Sequence, residues 1–310
     1  MSTCAKSLFD KASPIHWILD WDGTITRKDT LDALVSISAA TKPAFPTQDR
    51  WNHVSKAYMD DYITTLAQVA PHGELPTTVS GEAHLLAQMK PVEQRSLDRV
   101  SSSGIFAGLT REALEAGARQ AIDSRAVNLR NGFSGFFKYI HDDRKKDGVV
   151  ILSVNWSRYF IKSCLGASSI NHVPADFIYS NELDKIDSRE QSTGIIVPAT
   201  NNGGSLITSS GDKLERMERM QDLEGQRVYV GDSWTDIECL LAADLGVCVR
   251  DDPMGTSQKK LAEALTRLGV SCPRLKDYRE AGESRVVWVR DFAEIQEWVE
   301  SKSTSSCIVK

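Results

Sequence analysis

The 310-residue chain is long enough for one large domain or two modest ones, with a sizeable buried core. Its 41% hydrophobic and 25% charged residues are those of an ordinary globular protein, and a formal net charge of −5 without a Lys/Arg block argues against a nucleic-acid or membrane-surface partner. Six cysteines without a CxxC pair fit neither a disulfide framework nor a zinc site and point to a reducing, cytoplasmic setting. The opening segment lacks the apolar stretch of a signal peptide, and no run of about 18 apolar residues suggests a membrane span. The final Cys307-Ile308-Val309-Lys310 formally resembles a prenylation box, but its terminal lysine and Ser/Thr-rich approach read as a frayed tail.

The first predicted strand covers 16–21. From about 28 to 130 strand signal almost vanishes, and helical patterns around 30–40, 49–70, 82–103 and 110–121 are punctuated by Pro43, Pro46, Pro71, Gly73 and Pro76. The segment 129–133 returns the chain to alternating strands and helices. Strands are predicted at 149–154, 176–179, 195–197, 227–230, 246–249 and 286–289, with helices at 133–146, 157–164, 212–223, 234–242, 258–268 and 292–299. Continuous apolar strands alternating with amphipathic helices imply an α/β, Rossmann-like parallel sheet covered on both faces, with ligands beyond the carboxyl ends of its strands. The helical stretch is an all-helical insertion, giving a core of 1–27 and 131–310 and an inserted domain of 28–130.

Four places carry chemistry. In Ile18-Leu19-Asp20-Trp21-Asp22-Gly23-Thr24 an apolar strand ends in two carboxylates two residues apart, both projecting to one side, with Gly23 permitting the sharp turn that follows. Carboxylates this close repel each other unless a cation lowers the cost of keeping both charged. A second strand ends at Ser153, with Asn155 just beyond it, and Lys213 opens a helix against its dipole. Val230-Gly231-Asp232 ends another strand, with Asp236 four residues on; strand-end carboxylates suit a hard cation such as Mg²⁺. Taken singly, each feature also reads as a turn, a helix cap or a surface lysine.

In order, however, Asp20-x-Asp22-Gly23-Thr24, Ser153, Lys213 and Gly231-Asp232-x-x-x-Asp236 resemble the four-motif signature of the haloacid dehalogenase superfamily, over residues 14–26 and 131–250. The insertion lies where that family's helical cap does. The resemblance implies a phosphatase in which Asp20 attacks phosphorus and Asp22 acts as general acid, then base. It implies Mg²⁺ held by Asp20, the Asp22 backbone carbonyl and Asp232, with Asp236 as ligand or anchor, and phosphoryl contacts from Ser153, Asn155 and Lys213. Asp22 disfavours dehalogenase, ATPase and phosphonate-hydrolase chemistry, leaving a phosphatase or a phosphomutase; a catalytically silent binding protein on the same fold is the alternative from another class. Residues 149–165 and 228–249 are similar to the phosphatase domain that some plants fuse to a thiaminase-like domain and, more distantly, to phosphoserine phosphatases. Thiamin monophosphate, a phosphoserine-like ester and a terpenyl phosphate are therefore the candidate substrates. Trp51, Tyr58, Trp156 and Arg158 are candidates to line the pocket or simply to fill the core.

Overall fold

The computed structural model describes residues 13–304 apart from 145, 171–172, 221–224 and 279–284. The Cys307–Lys310 tail and positions 221–223 of the predicted helix lie outside the described residues. In chain order the elements are β1 (Ile15–Leu19), α1 (Leu31–Thr41), α2 (Thr47–Val69), α3 (Val79–Ser103), α4 (Arg111–Asp123), α5 (Phe133–Asp143), β2 (Gly148–Leu152), α6 (Arg158–Ala167), β3 (Ile178–Tyr179), β4 (Asn181–Leu183) and β5 (Ile196–Pro198). They continue with α7 (Ser210–Glu218), β6 (Gln226–Gly231), α8 (Ile237–Ala242), β7 (Leu245–Val249), α9 (Thr256–Arg267), β8 (Val286–Val289) and α10 (Phe292–Thr304).

Six strands form one sheet in the order β3-β2-β1-β6-β7-β8, every neighbouring pair parallel. The strand periodicity divides the core in two. Trp17, Leu19, Val228 and Val230 join the phenylalanines Phe133, Phe136 and Phe292 of α5 and α10 on one face. Ile18 and Tyr229 point the opposite way, into a cluster with Met217, Leu240 and Leu261 of α7, α8 and α9. A sheet buried on both faces needs apolar residues at every position, as in Ile18-Leu19 and Val228-Tyr229-Val230.

The predicted strand at 195–197 does not join this sheet. It forms β5, paired antiparallel with the polar β4, which the sequence did not signal. With Ile195 exposed and Ile196 buried, the segment has only one buried face, which suits a hairpin rather than a doubly covered sheet.

Helices α1 to α4 follow β1 directly, within three residues of the predicted spans. Thr78 and Thr110 cap α3 and α4, their hydroxyls accepting the Gly81 and Ala113 amides, and Gly104 ends α3 in the left-handed conformation. Two polar contacts hold α3 over the carboxyl edge of the sheet. The buried Glu82 carboxylate accepts from both Arg267 terminal nitrogens at 2.8 and 2.9 Å and from Trp234 Nε1 at 2.6 Å. Lys90 pairs with Asp212 at 2.6 Å. No helix among the described residues is long and apolar enough to cross a membrane.

Candidate active site

The parallel register brings the ends of β1, β2 and β6 side by side, and the motif residues with them. Asp20 continues β1, its amide bonded to Val230 O at 2.9 Å. The chain then turns sharply at Gly23, whose φ of 77° is left-handed. Space demands glycine as well, because a Cβ there would lie 2.5 Å from Asp232 Oδ2. Gly23→Ala is therefore expected to displace the Asp232 carboxylate and to lower turnover by about 10²-fold, the cost of a misplacement of roughly 1 Å. Steady-state kinetics alongside circular dichroism checks this, since the fold should be unchanged.

Lys213 sits in the first turn of α7, where the helix dipole disfavours it. It is almost fully buried, and its ammonium donates to Asp20 Oδ1 and Asp236 Oδ1, each at 2.7 Å. Two carboxylates thus supply what the helix terminus denies. Asp236 is held on every side. Its Oδ1 also accepts the Tyr229 hydroxyl at 2.7 Å, and its Oδ2 accepts the amides of Asp232 and Ser233 and the Ser233 hydroxyl. Both oxygens are committed, so Asp236 anchors the Asp232 loop and Lys213. Tyr229 escaped the sequence reading because a tyrosine within a buried strand looks like core.

Asp22 lies opposite. Its Oδ1 accepts the Thr30 amide at 2.8 Å and hydroxyl at 2.6 Å, and its Oδ2 accepts Asn155 Nδ2 at 2.9 Å. Thr30 was also missed; as the residue before α1 it read simply as a helix start. Ser153 lies one layer below, fully buried and outside the cavity lining, with its hydroxyl accepting the Asn155 amide at 3.1 Å. Asp232 Oδ1 accepts the Thr24 hydroxyl at 3.0 Å.

Burial and repulsion from Asp236 raise the Asp20 carboxyl well above the usual carboxylate range, although Lys213 pulls the other way. Burial also raises Asp22, against its bonds from Asn155 and Thr30. Asp232 is lifted to about 7 by burial and by Asp236. Burial works to raise Asp236 too, but Lys213 and the bonds from Lys213, Tyr229 and Ser233 outweigh it and hold the group low. Lys213 stays charged because its two carboxylates overcome its desolvation. Carboxylate oxygens of Asp20, Asp232 and Asp236 lie within 4.8 Å of one another. Four carboxylates crowd around a single lysine, so ionising all of them needs a further cation, and their donors are hard oxygens. That donor set fits a divalent cation such as Mg²⁺.

Above these residues is a cavity of about 660 Å³, walled on one side by α2 and α3 and otherwise by the loops at the strand ends. Trp51, Tyr58 and Trp156 line it, as does the acidic pair Asp29 and Glu93. Trp51 and Trp156 meet edge to face at 5.8 Å. Arg158 is elsewhere: its guanidinium is buried against Asp187, 2.8 Å from both carboxylate oxygens.

No family model matches the chain. It is 28% identical over 247 residues to a CTO1 family protein of Schizosaccharomyces pombe, covering 76% of this chain and 82% of that one. It is 25% identical over 245 residues to cold tolerance protein 1 of Saccharomyces cerevisiae, covering 72% and 74%. The bifunctional TH2 protein, mitochondrial, of Arabidopsis thaliana is 24% identical over 270 residues, which span 81% of this chain but 41% of that protein. Among solved structures, a phosphoserine phosphohydrolase-like protein from Francisella tularensis superposes with a TM-score of 0.52 at 14% identity, covering 91% of this chain and 98% of that one. A conserved protein of unknown function from Anaerococcus prevotii gives a TM-score of 0.50 at 12% identity, covering 90% and 86%. The chain has the fold of the haloacid dehalogenase superfamily hydrolases.

Proposed function

We propose that this protein is a Mg²⁺-dependent phosphomonoester hydrolase that works through an aspartyl-phosphate. The observation that carries the reading is the meeting of Asp20, Asp22, Asp232 and Lys213 at the base of one cavity. Mg²⁺ held by Asp20, the Asp22 backbone carbonyl and Asp232 would neutralise charge on the transferring phosphoryl group. The residues do the rest. A carboxylate oxygen of Asp20 attacks phosphorus as the ester P–O bond breaks, and the leaving oxygen takes a proton from Asp22. Asp22, now a carboxylate, takes a proton from water as that water attacks the phosphoryl group, releasing orthophosphate and restoring Asp20. The raised affinity of Asp22 for its proton suits the first step. The Lys213 ammonium stabilises Asp20 as the free carboxylate that attack requires, and with two donors spent it keeps a third for a phosphoryl oxygen. Asn155 donates both Nδ2 hydrogens, to Asp22 Oδ2 and Thr30 Oγ1, so it serves as the other phosphoryl contact by handing one of them over, and Ser153 braces Asn155 from below. Residues 28–130 serve as the cap over a core of 1–27 and 131–310, excluding water from the reaction.

The cavity accommodates a small metabolite and leaves little room for a protein chain. Glu93 accepts the Tyr58 hydroxyl at 2.9 Å, has no ion-pair partner among the described residues, and is lifted to about 7 by burial. A half-buried carboxylate among aromatic rings favours an ester whose leaving group carries positive charge. Thiamin monophosphate and phosphoserine-like esters fit that description better than a terpenyl phosphate. The free thiols of the described cysteines support a cytoplasmic setting.

The test is orthophosphate release from thiamin monophosphate, phosphoserine, geranyl phosphate and an aryl phosphate, with Mg²⁺ and with EDTA. Release is expected only with Mg²⁺, with a kcat/KM for the cationic esters about 10-fold or more above that for geranyl phosphate. Phosphate shifted within a substrate would identify a mutase instead. No turnover by folded, Mg²⁺-supplied protein would favour a silent binding protein.

A further inference from the structure

Arg130 belongs to none of the four motifs, yet its side chain is buried directly behind the nucleophile turn. It stands where the helical segment rejoins the core. The Thr26–Leu129 bridge closes that segment, and the Arg130 amide bonds to Ile25 O at 2.7 Å. With only 2% of its surface exposed, Arg130 sends Nε to Thr24 O at 2.9 Å and Nη2 to Gly23 O at 2.5 Å. Its Nη1 reaches Asp251 Oδ1 at 2.7 Å and, more distantly, Arg290 O at 3.5 Å. Asp251 is fixed in turn by Gln258, whose Nε2 donates to Asp251 Oδ2 at 2.8 Å and whose Oε1 accepts the Asp251 amide at 2.9 Å.

The two carbonyls held by this fork belong to the residues that set the site. Gly23 packs against the Asp232 carboxylate, and Thr24 donates its hydroxyl to Asp232. The same turn carries Asp22. We infer that Arg130 is a positioning residue for the proposed hydrolysis: by gripping the Gly23 and Thr24 carbonyls and bracing on Asp251, it fixes the Asp22 turn and the Asp232 carboxylate relative to Asp20. A lysine ammonium cannot replace it, because a compact point charge cannot span two carbonyls and a carboxylate in one plane. The effect falls on turnover rather than on substrate binding, since Arg130 itself is not among the residues lining the cavity.

The inference rests on the hydrolase reading, so its test combines kinetics with a measurement independent of activity. In Arg130→Lys, kcat is expected to fall about 10²-fold with KM unchanged, as for a misplaced but intact site. Hydrogen exchange should quicken in residues 20–26 and around 251 and stay at the wild-type rate elsewhere. Arg130→Ala should lose at least as much turnover, and guanidinium ion in solution should restore part of it. Asp251→Asn, which leaves the fork in place but weakens its brace, should show a smaller loss of the same kind if either Arg130 variant fails to fold. Wild-type kcat in folded Arg130→Lys, or faster exchange spread through the whole core, would overturn the inference. If the wild-type protein releases no phosphate, the hydrolase reading fails by itself, and the local exchange pattern still decides whether Arg130 holds the turn.

Discussion

Replacing Asp20 by asparagine is expected to lower Mg²⁺-dependent phosphate release by at least about 10⁴-fold, the scale on which removing a nucleophile acts. The amide is nearly isosteric with the carboxylate, so the cavity and the β1 end should keep their shape. It cannot form an acyl phosphate, and it offers one fewer anionic ligand to a cation. Stability should change little. The substitution removes a buried carboxylate that burial and Asp236 already disfavour in its charged form, while Lys213 keeps its bond to Asp236. Orthophosphate release and a thermal unfolding curve on the same preparation check both halves of this expectation. Release that survives the substitution would remove Asp20 from the chemistry.

Lys213→Met should have the largest effect on stability, in addition to abolishing turnover. The side chain is only 1% exposed, and its ammonium is the shared partner of Asp20 and Asp236. Methionine keeps most of the volume but leaves two buried carboxylates without their cation, a loss of about 3–5 kcal/mol. The loss should depend on pH with a definite sign. Asp236, held low by Lys213, contributes stability above the range in which a free carboxylate titrates. Without the ammonium that contribution disappears, and both carboxylates resist ionisation. The deficit should therefore be smaller near about pH 5 than near about pH 8, where ionisation is demanded. Urea unfolding of wild type and variant at the two pH values, without divalent cation, measures it. A deficit independent of pH would mean that Lys213 acts there through packing alone.

The legible parts of the sequence were those with a strong local pattern. Continuous apolar strands marked β1, β2, β6, β7 and β8, because a parallel sheet covered on both faces needs apolar residues at every position. The loss of strand signal after residue 28 marked the helical segment. Asp20, Asp22, Lys213, Asp232 and Asp236 stood out because each broke a local rule: charge at the end of a buried strand, or a lysine at the positive end of a helix. What stayed hidden were contacts that only the folded chain creates. Tyr229 reads as core until its hydroxyl is seen to meet Asp236, and Thr30 reads as a helix start until it is found on Asp22. Arg130 lies 106 residues from the carbonyl of Thr24 that it holds, and no local pattern encodes that contact. The predicted strand at 195–197 was correct locally but assigned to the wrong sheet, since three residues do not specify their partner. Arg158 carried no signal of its partner Asp187, which the fold brings from 29 residues away.

The most direct test of the central claim is to trap the covalent intermediate. Enzyme turning over a good substrate with Mg²⁺ is quenched in acid and reduced with borohydride, which converts an acyl phosphate to an alcohol, and the peptide containing residue 20 is sequenced by mass spectrometry. The expected result is homoserine in place of Asp20, absent when EDTA replaces Mg²⁺ and absent in Asp20→Asn. Active enzyme that yields unreduced Asp20 at every quench time, with orthophosphate accumulating, would contradict an aspartyl-phosphate route and point to direct attack of water on the ester.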